Sequence, residues 1–188
     1  MWSKPEEKWN TITHAVALGM AATAATLSTS SAGVILTVAL AVTYTMSVLY
    51  HSAERLCTRE TFRMLDMASI HATIGATGYA YCSTAGSDLS ALCILLSVFG
   101  LIYTIKHFGT EKLDTLMVPI CVATGLSCLG LYMLSPATNS TLTWFFLLGT
   151  LFYIAGLAFY VYDNNRWYHT VWHLFVTAAA FIHIQPFL

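Results

Sequence analysis

Seven apolar runs of roughly 17–23 residues, parted by short polar turns, leave this chain few ways to fold. They cover residues 11–27, 34–51, 65–83, 89–105, 116–134, 142–162 and 168–187. A helix of that length crosses a hydrocarbon core about 30 Å thick. In lipid every backbone N–H and C=O must find its partner inside the protein, which only helices and closed barrels achieve. A barrel needs alternating segments of about ten residues, and the chain shows none. The expected fold is all-α: a single seven-transmembrane-helix bundle spanning residues 1–188. Composition points the same way, with 57% hydrophobic and 9% charged residues, where soluble domains carry about a quarter charged. The net charge of −1 provides no basic field for nucleic acid. The expected partners are membrane lipids.

The basic residues sort by side. Lys4 and Lys8 precede the first run; Arg55, Arg59 and Arg63 lie between the second and third. Lys106 and Lys112 follow the fourth, and Arg166 follows the sixth. All eight fall on the N-terminal side, so the positive-inside rule expects a cytoplasmic N-terminus and an outer C-terminus. Trp144, Trp167 and Tyr168 sit near run ends, where an aromatic belt belongs. Asn10 is placed to cap a helix that starts near Thr11. The Ala- and Thr-rich first run has a rival reading as a cleaved signal peptide, although Glu6 and Glu7 suit the start of one poorly.

His169 and His173 open the last run four residues apart, on one helix face. One metal ion can take a nitrogen from each. The plain alternative is a pair of interfacial histidines reaching toward headgroups. The charge map brings further polar residues to the same depth. His51 ends the second run, Ser47 lies one turn deeper on the same face, Asp66 opens the third run, and His14 opens the first. The expectation is a zinc ion held by His51, His169 and His173, with water in the open fourth position at a pKa near ~7. Asp66 is then the general acid–base and Ser47 a hydrogen-bonding companion. Simpler readings exist for each. His51 suits a helix C-terminus, Asp66 can pair with Arg63, and Ser47 can bond its own helix backbone. His14, His71, His107 and His183 are expected to be structural. The five scattered cysteines read as small buried hydrophobes, and Gly149 and Gly156 as marks of close helix packing.

These residues resemble the hemolysin III family, within the superfamily of progestin and adipoQ (adiponectin) receptors. The resemblance covers essentially the whole chain. It is carried by Glu7-x-x-Asn10-x-x-Thr13-His14, Ser47-x-x-x-His51, Asp66, and His169-x-x-x-His173 followed by Leu174-Phe175-Val176. It implies seven spans, a cytoplasmic N-terminus, zinc on His51, His169 and His173, and a site completed by Ser47 and Asp66. The chain departs from the family at Met67, where histidine is common, and at Gly75 to Tyr79, which lack a proline. The superfamily includes ceramidase-like amidases, while the branch name suggests cytolysis.

Three functions compete. The first is zinc-dependent hydrolysis of a lipid amide or ester at the cytoplasmic leaflet, in a bacterial inner membrane. The second is a hemolysin-like pore, disfavoured because the middle of every run lacks Lys, Arg, Asp and Glu. The third is a non-enzymatic receptor with structural zinc.

Overall fold

The computed structural model describes residues 4–162 and 164–188; Asp163, in the expected loop before the last run, lies outside them. The described residues form seven helices and a final 3-10 turn, with no strand. The helices are α1 (Lys4–Leu27), α2 (Ser31–Ser52), α3 (Leu56–Thr84), α4 (Ser90–His107), α5 (Glu111–Met133), α6 (Ser140–Val161) and α7 (Tyr168–Ile184). Among them α2, α4, α5 and α6 are each long and apolar enough to cross a membrane.

The other three helices show why apolarity and helicity part company. α1 begins at Lys4 rather than near Thr11, so Asn10 is inside the helix and does not cap it. Pro5 suits a first turn because its missing N–H is not needed there. Glu6 and Glu7 complement the helix dipole. α3 likewise starts at Leu56, so most of the charged connection before the third run is helical. There Arg63 pairs with Glu60, one turn back, and not with Asp66. α7 is 17 residues long and ends at Ile184, before Pro186 in the 3-10 turn Gln185–Phe187.

Turn chemistry sets the remaining ends. Ser30 caps α2 by accepting from the Gly33 N–H at 3.1 Å, and Asn139 caps α6 by accepting from the Leu142 N–H at 2.8 Å. Gly86 turns α3 into α4 at φ +68°, a conformation that side chains resist.

α3 is the central staff. It packs against α2, α4 and α5; α1 lies between α2 and α7, and α6 rests on α7. The buried face of α3 is built from Ala68, Thr73, Gly75, Ala76, Gly78 and Ala80. Small side chains let backbones approach where lipid offers no hydrophobic drive between helices. Hydroxyls then join the helices. Thr43 of α2 donates to the Ser69 carbonyl at 3.0 Å and meets the Thr73 hydroxyl at 2.8 Å. The outside is apolar: Leu95, Phe99, Leu134, Trp144 and Leu151 are all exposed. Water tolerates such a continuous surface poorly, and lipid does not. The chain is a membrane protein.

Candidate metal centre

Two helices bring three imidazoles to the end of the bundle where the basic residues cluster. His51 stands in the last turn of α2, and His169 and His173 occupy successive turns at the start of α7. One nitrogen from each of the three lies within 4.8 Å of the others. Their ring centroids are 5.3 Å (His51–His169), 4.9 Å (His51–His173) and 4.8 Å (His169–His173) apart. His51 and His173 are buried and His169 is half-buried.

What holds these rings is α1. Glu7, Asn10, Thr13 and His14 recur at three- to four-residue spacing, so they share one face of that helix. The Glu7 carboxylate accepts from His51 Nδ1 at 2.6 Å and is ion-paired on its other oxygen with Arg59 of α3. Arg59 also lies over the Tyr50 ring, 4.7 Å from its centroid. Burial opposes the charge on Glu7, but the bond from His51 and the charges of His51 and Arg59 outweigh it. Its carboxyl is held below the usual range. His173 Nδ1 is 3.3 Å from the Asn10 carbonyl and 3.2 Å from the Thr13 hydroxyl. The Asn10 side chain accepts from Thr170 at 2.6 Å, tying α1 to the first turn of α7.

This pinning bears on whether a metal fits. With Nδ1–H of His51 given to Glu7, the lone pair of Nε2 is left, and that atom is buried without a hydrogen-bond partner. A buried imidazole nitrogen without a partner is costly. A carboxylate holding the far nitrogen of a metal-ligating histidine is a recurrent arrangement, which fixes tautomer and raises basicity. The residues present suit a divalent metal that prefers imidazole.

Beside this trio the structure places the remaining expected residues. Ser47 is buried, and its hydroxyl meets His14 Nδ1 at 2.7 Å rather than a carbonyl of its own helix. The Asp66 carboxyl, partly buried, lies beside the Ser47 hydroxyl. His14, expected to be structural, stacks on His173 with centroids 3.6 Å apart and planes 5° from parallel. Its Nε2 is buried without a hydrogen-bond partner. His71 and His183 lie elsewhere, bonded to the Thr104 hydroxyl at 3.0 Å and the Phe146 carbonyl at 3.1 Å. Glu7 received no role from the sequence beyond its place in a motif, and Asn10 only that place and a helix cap. Their periodicity with His14 was the signal, and only the packing of α1 on α2 and α7 gives it meaning.

A search among curated proteins returned no match. The family model for haemolysin-III-related proteins matches residues 2–184, nearly the whole length, and the chain belongs to that family.

Proposed function

We propose that this chain is a seven-span zinc protein of a bacterial inner membrane that hydrolyses an amide or ester bond of a lipid at the cytoplasmic leaflet. The observation that carries the reading is the buried, unpartnered Nε2 of His51 in a trio whose nitrogens lie within 4.8 Å of one another. His51, His169 and His173 hold the metal. Bound there, zinc supplies Lewis acidity, which polarises a carbonyl and makes water a stronger acid near neutral pH. Asp66 accepts a proton at its carboxylate and returns it to the leaving group. Ser47, itself held by His14, hydrogen-bonds and orients Asp66. α6 packs on α7 with little packing on α5, and we take that flank as the way in for an acyl chain. All eight basic residues on one side support the cytoplasmic N-terminus, and the three helices of lower apolarity cross within the bundle.

The test is purified protein with its metal counted, incubated with lipid extracts. Asp66→Asn is expected to keep zinc and lose roughly 10²–10⁴-fold in turnover, the usual worth of a positioned acid–base group. Absence of turnover on every lipid class, or an unimpaired Asp66→Asn, would falsify hydrolysis. Zinc bound without turnover would leave a structural clamp between α2 and α7.

The support from α1 yields a separate expectation. Glu7→Gln keeps the shape but loses the charge that orients and polarises His51. Zinc affinity should fall by about 10–100-fold, as for other outer partners of metal ligands. Competition with a zinc-binding dye checks this; an unchanged affinity would mean that Glu7 serves only Arg59.

A further inference from the structure

Two of the five cysteines touch across the turn from α3 to α4. Cys82 lies two residues before the end of α3 and Cys93 three residues after the start of α4, about 3–5 Å inside the helix ends. Both are free thiols with 0% exposure, and their sulfurs are 3.8 Å apart. They are 11 residues apart in sequence, and Gly86 turns the chain between them at φ +68°. The two helices stay in close contact up to this end, in antiparallel steps. A Cβ at Gly100 would stand 2.3 Å from His71 Nδ1, one at Gly75 2.2 Å from Ser97 Oγ, and one at Gly78 2.9 Å from Cys93 Sγ. Cys82 lies more than four turns beyond Asp66 on α3, roughly 24 Å along the axis. The pair is thus separate from the histidines.

We propose that Cys82 and Cys93 are a redox pair that closes to a disulfide and clasps α3 to α4 at this end of the bundle. A disulfide needs its sulfurs about 2.05 Å apart and its Cα atoms within about 7 Å. From 3.8 Å the sulfurs must close by about 1.8 Å. Rotation of both side chains about χ1 supplies that movement, and the glycine-lined contact holds the backbones near. The oxidant is an external disulfide. One cysteine gives up its proton and its sulfur attacks that disulfide, expelling one thiolate. The other cysteine then displaces the remaining half. Two protons and two electrons pass to the external disulfide, which leaves as two thiols. Because both sulfurs are buried in the closed helix pair, exchange passes through a local opening of the short turn. The clasp stabilises the fold by restricting the unfolded chain. It also fixes one end of the helix that carries Asp66 toward its other end. In the orientation proposed above this end faces the oxidising side of the membrane, where disulfides persist. Only that compartment rests on the earlier reading; the sulfur chemistry does not.

The experiment uses the full chain with Cys57→Ser, which removes the exposed thiol and leaves the other four. The protein is reduced, then equilibrated in detergent with oxidised glutathione. Neither orientation nor lipid turnover bears on the result. Thiols are counted under denaturing conditions once glutathione has been removed. The count is expected to fall from four to two, and the intact mass to drop by two hydrogens. A proteolytic digest should join the peptides that hold Cys82 and Cys93. The melting temperature should rise by roughly 5–10 °C and return on reduction with dithiothreitol. Cys82→Ser and Cys93→Ser, in the same background, should lose no hydrogens and should melt alike before and after reduction. Cys128→Ala should still close. If a serine variant fails to fold, the peptide map of the parent decides. Four thiols left at equilibrium overturn the proposal. So does a disulfide that joins Cys93 to Cys128 instead, or one that forms only after the chain has been unfolded.

Discussion

Replacing His173 with alanine is expected to remove stoichiometric zinc and lipid turnover together. The residue supplies one of three nitrogens in the trio. Two imidazoles remain, too few for the three protein ligands that open zinc sites ordinarily use. The fall in affinity should exceed the ~10–100-fold that an outer partner such as Glu7 is worth. Alanine also empties the space against which His14 stacks, and loss of a buried ring can itself cost about 3–5 kcal/mol. His173→Gln keeps much of the volume and separates the two effects. It should melt close to wild type and still lack zinc. Elemental analysis per folded chain is the measurement. Full zinc in a folded His173→Gln variant would remove that residue from the ligand set and take the proposed chemistry with it.

The second large effect needs no metal. Gly149→Ala should destabilise the protein by about 2–4 kcal/mol, because the added methyl has nowhere to go. Its position is 2.2 Å from His183 Cδ2 and 2.3 Å from Nε2. That ring cannot simply swing away. Its Nε2 bonds the Phe146 carbonyl at 3.1 Å. It also packs against the rings of Tyr81, Phe146 and Tyr153, with centroids 5.8, 5.5 and 5.7 Å away. Tyr81 in turn donates to the His183 carbonyl at 3.1 Å. Overpacking there should separate α6 from α7 and lower the melting temperature in detergent by roughly 5–15 °C. Gly130→Ala is the contrast, since nothing lies within 4 Å of its added carbon. It should be neutral or stabilising by up to ~1 kcal/mol through helix propensity. Equal melting temperatures for the two variants would show that α6 and α7 are not held by this contact.

Sequence alone determined the class of structure. An apolar run of helical length has one stable answer in lipid, since backbone polar groups must be satisfied within the segment, so the helices were legible. So was the convergence of His51, His169, His173, Asp66 and Ser47 on one depth, because charge sorting and a rise of about 1.5 Å per residue fix depth without any knowledge of neighbours. Helix ends were not legible. α1 and α3 extend through Glu7 and Arg59 into polar sequence, and hydropathy cannot report a helix that leaves the apolar region.

Tertiary structure decided which residues face each other at a given depth. Rotation of one helix against another depends on small-residue packing such as Gly78 and Gly149, and no periodicity within a single run encodes it. That rotation sets Glu7 on His51, stacks His14 on His173, and sends His71 to Thr104 instead. It also sets the sulfurs of Cys82 on α3 and Cys93 on α4 3.8 Å apart, and packs Cys93 and Cys128 of α5 against Gly78. Depth is a property of one strand of sequence, whereas azimuth belongs to the assembled bundle.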